Sequence, residues 1–369
     1  MNNALLRTAL ACSLMAGWFS SDCNAQLVND TILMTRVSLG APPHDPQGRL
    51  YGPVVTDAQG LATQQSASVA DVNGFTVSPN VRSSVVTFYE NVYLPPFSVP
   101  IGWTGNPATC AAGSTSQDYI DASFDLINYY RAMVELPPVV NDTSKNASSQ
   151  EAALMMSVNN SLSHSPPMGW QCYTSAGATA AGSSNLALGA AGPRAVDLYI
   201  RDPGSGNSAV GHRRWILNPP RSSFGIGSVG STTRDANALW VFAGTTSRPP
   251  TDIVAWPPRG FVPYRLVYPR WSFSLNSAPG ANFSSASISM HENGIPVALN
   301  IVSSSTNGYG DNTLVWEPSG LVFSAGQADR AFDIVVSNVS NAGQSVYSYR
   351  VTVIDPAMDP PGVFSDGFE

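Results

Sequence analysis

The spacing of apolar residues changes once along this chain, near Pro257-Pro258, and that change bounds what it can fold into. Before it the stripes are helical. Val85, Val86, Tyr89 and Val92 share a face between Arg82 and Leu94, and Pro95-Pro96 ends the segment. Phe124, Ile127, Tyr130 and Val134 mark a second helix over Asp118 to Val134, with Pro137-Pro138 beyond it. Leu154, Val158 and Leu162 fall at i, i+4 and i+8 and predict a third from about Ser144 to Ser161. The Gly/Ala/Ser stretch from Ser175 to Gly192 reads as mostly loop. Ala195 to Asp202 and His212 to Leu217 read as short helices, and Phe224 to Val229 and Ala238 to Ala243 as strands.

After Tyr264 the period is two. Short alternating runs follow at Trp271 to Leu275, Ala286 to Met290, Val297 to Val302, Thr313 to Trp316, Phe332 to Val336 and Tyr347 to Ile354, with Glu292-Asn293-Gly294 as a hairpin turn. Helices followed by strands place the chain in the α+β class. Short strands at this density predict an antiparallel, immunoglobulin-like β-sandwich over residues 263–356. The preceding domain is expected at 81–262, an extension whose order the sequence leaves open at 26–80, and an unfolded tail at 357–369.

The first residues point outward from the cytoplasm. Arg7 precedes a brief apolar stretch, too short for a stable bilayer span, and Cys23-Asn24-Ala25 offers a small-residue cleavage site. Residues 1–25 are therefore expected to be a signal peptide, and the protein extracellular or in the cell envelope. Charged residues make up 12% of the chain, about half the usual quarter, so Ser, Asn, Thr and Gly must cover the surface. The net charge is -7 with no run of Lys or Arg, which excludes phosphate neutralisation and so nucleic acid as a partner. No later segment is apolar for long enough to be a transmembrane helix. Cleavage would leave Cys110 and Cys172, an even pair that predicts one disulfide.

Four histidines exist. His44, between Pro43 and Asp45, and His291, at a hairpin, read as exposed bystanders. His164 and His212 each fall where a helix meets a loop, a place from which side chains converge on a cleft, and imidazole suits a metal, a proton or an anion there. Arg213 and Arg214 beside His212 read either as a solvated basic pair or as a contact for an anionic head group.

Leu126-Ile127-Asn128-Tyr129-Tyr130-Arg131, followed by Leu136-Pro137-Pro138-Val139, resembles the opening helix of the superfamily of cysteine-rich secretory proteins, antigen 5 and plant pathogenesis-related proteins, the CAP or SCP domains. The Ala152-Ala153 helix leading to His164-Ser165, then Gly211-His212-Arg213, Ile216-Leu217-Asn218-Pro219 and Phe224-Gly225-Ile226-Gly227, continue the same order, closest to the bacterial branch. The resemblance covers roughly residues 80–250. It implies an α/β/α sandwich with a central antiparallel sheet and an open cleft holding two histidines and two acidic residues, able to take a divalent metal such as zinc. His164 and His212 match the histidines. Ser184-Asn185 stands where the family usually has Glu-Asn, neither Asp197 nor Asp202 falls clearly at the second acidic place, and Leu198 replaces the usual Trp.

Two imidazoles are too few for a zinc site, which wants three or four ligands. They read either as a partial metal pair or as hydrogen-bonded groups lining a cleft. A serine hydrolase is disfavoured, because no Gly-x-Ser-x-Gly elbow is present and no acidic orienting partner for the histidines is evident. The reading that follows is a non-enzymatic binding protein whose cleft is lined by His164, His212, Ser184, Asn185 and Arg213. The resemblance implies a lipid, a small apolar ligand or a cell-surface protein as partner, and the expected sandwich suggests adhesion or a glycan by fold analogy. The alternative is a divalent-metal-assisted hydrolase using His164 and His212.

Overall fold

A computed structural model of the protein describes residues 37–45, 75–230, 234–249, 253–275, 280–304 and 308–358. By its internal contacts the chain divides into Met1–Ser38 and Leu39–Glu369. The expected signal peptide at 1–25 lies outside the described residues, as do most of the 26–80 extension and nearly all of the 357–369 tail.

The helices begin where the sequence offers caps. Helix α1 spans Arg82–Phe88 and runs on through a π-helical turn, Tyr89–Tyr93. Helix α2, Gln117–Met133, starts at Ser116, whose hydroxyl accepts from the Tyr119 N–H. Helix α3, Thr143–Val158, starts at Asp142, whose carboxylate accepts from the Ser144 N–H. Such a cap stabilises a helix by about 1 kcal/mol. Helix α4, Ser175–Gly182, opens on the Thr174 hydroxyl, and strand Ser184–Leu188 follows it directly. This corrects the reading of residues 175–192 as mostly loop. Their small side chains serve close packing instead: a Cβ on Gly177 would fall 2.8 Å from Met155 Cε. Helices α5, Gly192–Arg201, and α6, Gly211–Ile216, complete the set.

The first sheet has five strands and includes β1 (Val140–Asn141), β2 (Ser184–Leu188), β3 (Arg221–Val229) and β4 (Ala236–Thr245), with these four in the order β2, β4, β3, β1. Its long pairings are antiparallel, and β1 lies parallel to its neighbour β3. Helices pack on both faces. On one, Gly227 is a point of near contact, since a Cβ there would lie 2.2 Å from the Gln150 backbone nitrogen of α3. The Gln150 side chain then clamps the next residue, donating to Ser228 O at 2.6 Å and accepting from Ser228 N at 2.9 Å. On the other face the Ser228 hydroxyl accepts from the Gly192 N–H that opens α5.

Two further sheets form the β-rich C-terminal region. The strands are β5 (Ile253–Trp256), β6 (Gly260–Pro263), β7 (Trp271–Leu275), β8 (Ser287–Glu292), β9 (Ile295–Pro296), β10 (Leu299–Ser303), β11 (Asn312–Pro318), β12 (Arg330–Ser337) and β13 (Tyr347–Ile354). One sheet runs β10-β11-β7-β5 and the other β9-β8-β12-β13-β6. Trp271 and Phe273 of β7 meet Phe332 of β12 and Tyr349 of β13, so the two sheets share an aromatic core. Two details differ from the expected purely antiparallel arrangement beginning at 263. Strands β5 and β6 lie ahead of that point yet pair into these sheets, and β6 joins β13 in parallel. The chain passes from one sheet to the other between β5 and β6, so β6 enters at an edge that β13 leaves open. Mixed helices and sheets make the chain α+β throughout.

Candidate functional site

Helix α5 ends on Asp202, which adopts the left-handed conformation (φ 49°, ψ 56°), and its carboxylate turns back toward α6. Asp202 Oδ1 lies 2.8 Å from His212 Nδ1, and Asp202 Oδ2 accepts from the His212 backbone N–H at 2.9 Å. Both side chains are fully buried. A carboxylate on one ring nitrogen fixes the proton there and leaves Nε2 as the acceptor. That Nε2 is buried and has no hydrogen-bond partner among the described residues. The ring stacks on Tyr199 with centroids 5.7 Å apart. The Tyr199 hydroxyl donates to Asn237 Oδ1, and burial pushes its pKa well above the ordinary value.

Strand β2 supplies a neighbour. The Asn185 side-chain amide donates to the His212 carbonyl at 3.1 Å, while its Oδ1 and, on the other face of the strand, the Ser184 hydroxyl are buried without partners among the described residues. Unpaired buried polar atoms cost about 1–3 kcal/mol each.

His164 is placed differently. It is half-buried, and both ring nitrogens face backbone carbonyls: Nδ1 lies 2.7 Å from Ala181 O and Nε2 2.6 Å from Ala41 O. Arg213 is turned inward. Its Nε donates to Ile200 O, and one terminal nitrogen donates to Arg270 O and to the Ser272 hydroxyl. Arg214 is likewise buried, donating to Asp311 O at 2.7 Å. Burial pulls both guanidinium groups down to about 10. The solvated basic pair is thus corrected: these side chains secure backbone carbonyls. His44 is exposed and lies against Tyr309, and His291 sits on β8.

Of the residues expected in the cleft, the fold brings Asn185 against His212, leaves Ser184 on the other face of its strand and sends Arg213 toward the C-terminal region. It adds Asp202 and Tyr199, which the sequence reading did not assign to the site. The statement that no acidic partner orients either histidine is overturned by Asp202. Asp197 serves elsewhere, its Oδ1 accepting from Tyr93 at 2.9 Å, Tyr130 at 2.6 Å and Tyr268 at 2.9 Å.

The donor set does not fit a zinc ion. Among the described residues no group of three or more His, Cys, Asp or Glu side chains is placed to hold a metal. His212 offers one nitrogen, and both nitrogens of His164 face carbonyls. The disulfide expected from cysteine counting is present, Cys110 to Cys172. Among the described residues no helix is long and apolar enough to cross a membrane. No curated protein matches the chain. Residues 124–243, which carry His164, Ser184, Asn185, Asp202 and His212, match the family model described as CAP, the Cysteine-rich secretory protein family, and that stretch is a CAP domain.

Proposed function

We propose that this is an exported protein that binds a partner through its CAP domain without transforming it, and that the β-rich region is an immunoglobulin-like module. The observation that carries the reading is the way the site's polar groups are spent. Arg213 and His164 are tied to backbone carbonyls, and the Asp202–His212 pair is sealed from solvent. A general base must reach a substrate proton to act, and a catalytic metal must have its ligand set. Neither condition is met here, which leaves binding as the reading the arrangement supports. The cargo of this reading is a lipid or other small apolar ligand, or a cell-surface protein or glycan. Export is supported by the disulfide, a bond that persists in oxidising compartments.

Native mass spectrometry of the purified chain, with elemental analysis of the same sample, tests the reading. A co-purifying organic ligand or a clean apo mass agrees with it. Stoichiometric zinc that survives dialysis, together with a hydrolytic activity lost in His164→Ala and His212→Ala, would establish the metal-assisted hydrolase instead.

A further inference from the structure

A piece of the chain's own N-terminal part lies against His164 and the start of α6, next to the Asp202–His212 pair. Residues 39–45 read Leu-Gly-Ala-Pro-Pro-His-Asp. Pro42 and Pro43 are buried although Ala41 and His44 on either side are exposed. The Ala41 carbonyl faces His164 Nε2 at 2.6 Å, and the Pro43 carbonyl accepts from the Trp215 indole N–H at 2.8 Å. Between these two anchors Pro42 sits on Gly211, where any Cβ would come within 2.4 Å of the proline ring. His44 then meets Tyr309, ring against ring at 4.8 Å, with a 3.2 Å contact between its Nε2 and the phenol oxygen.

This is how an extended proline segment is recognised. Each proline fixes its own φ near -65° and biases the residue before it to extended backbone, so Ala41-Pro42-Pro43 is stiff before it binds. Proline also removes the N–H donors from that stretch, leaving carbonyls as its polar handles. Aromatic-lined grooves with a few side-chain donors take such segments at low entropic cost. The groove supplies two donors to two carbonyls, a glycine floor for one ring and aromatic walls from Trp215 and Tyr309. A covalent tether raises the effective concentration of residues 39–45 to the millimolar range, so the chain outcompetes a free ligand at ordinary concentrations.

We propose that the groove between His164, Gly211, Trp215 and Tyr309 is a binding site for extended proline-containing peptide, and that residues 39–45 hold it closed in cis. The proposal rests on the reading of the CAP domain as a binding module and names its ligand class. Release of the strap exposes the groove to the same segment of a second copy.

The test uses the full chain and a fluorescein-labelled synthetic peptide, Leu-Gly-Ala-Pro-Pro-His-Asp. The double variant Pro42→Gly, Pro43→Gly loosens the strap and leaves the groove intact. By fluorescence anisotropy it should bind the peptide at least tenfold more tightly than the parent chain. A peptide with both prolines replaced by alanine should bind it at least tenfold more weakly. Gly211→Ala is the second variant. Its added methyl should free the strap, seen as faster amide exchange at Gly40, Ala41 and His44, and should also block the groove, so that labelled peptide does not bind. Equal binding by parent and opened chain, no binding to either, or indifference to the prolines each overturns the proposal. If the peptide fails while an apolar ligand still co-purifies, the peptide assignment falls and the binding reading stands. Retained zinc with hydrolysis removes the binding reading, whatever the peptide does.

Discussion

His212 is held by Asp202 through two bonds at once, one from the imidazole Nδ1 and one from its own backbone N–H, with neither side chain reaching solvent. The pair fixes both the ring and the first residue after the opening of α6, so it sets the geometry of the site and the start of the helix together.

Asp202→Asn isolates the charge. Asn tolerates the left-handed conformation nearly as well as Asp, so the helix ending survives. An amide has one acceptor oxygen where the carboxylate has two, so either the ring or the backbone N–H groups of His212 and Arg213 lose their partner. We expect a loss of about 2 kcal/mol, in line with an unsatisfied buried donor. Urea denaturation measures it, and long-range nitrogen–proton NMR of the ring should show the fixed tautomer giving way to a mixture.

Arg131 carries a second prediction. It is fully buried and donates to Pro137 O, Ile216 O, Asn218 O and Arg221 O at 2.8–3.1 Å. Burial, and then the nearby Arg221, lower its pKa to about 9. A lysine ammonium cannot reach four carbonyls spread around a planar fork. Arg131→Lys should cost about 3 kcal/mol through the carbonyls left bare. Thermal melting checks this, and an unchanged midpoint would refute it.

Gly227→Ala should be nearly as damaging for a different reason. The added methyl would press on the backbone of α3 at Gln150, which has no side-chain freedom with which to yield. Overpacking of this kind typically costs 1–3 kcal/mol, and we expect about 3 by chemical denaturation.

The tyrosines around Asp197 predict an alkaline limit. Burial first, and the Asp197 carboxylate second, hold the Tyr93 and Tyr130 hydroxyls well above the ordinary 10, and Tyr268 behaves likewise. The unfolded chain gives up these protons near pH 10, while the folded chain keeps them. Stability should therefore be complete below about pH 10 and fall above it, by about 1.4 kcal/mol per pH unit for each hydroxyl kept neutral. Denaturation midpoints between pH 8 and 11.5 would show the slope. A flat profile, or phenolate absorbance from these groups before unfolding, would contradict it.

Helical stripes and alternating runs were plain in the sequence because each buries one face, and the strands from Trp271 to Ile354 follow the alternation closely. The motif residues were legible for what they are rather than for what they do. Asn128 brackets Val139 through its backbone N–H and carbonyl, Arg131 gathers the carbonyls after α6, and Gly225 and Gly227 admit α3. The site was half visible. His212 was found because a histidine at a helix opening invites the question, but Asp202 only becomes its partner once a left-handed ending swings the carboxylate back across ten residues. The strap could not be seen at all, since the contact between Ala41 and His164 joins positions that no local pattern relates.

Arg213 leaves the CAP domain to grip Arg270 O and Ser272, and Arg270 returns to grip Asp202 O and Asn207 O. Arg82 on α1 reaches Asp329 and the carbonyl of Asp355. A heated sample should therefore give one calorimetric peak rather than two. A gene fragment cut at residue 263 would leave behind β5 and β6 as well as the guanidinium that satisfies those carbonyls, so the β-rich region is not a cassette that could be moved intact onto another protein.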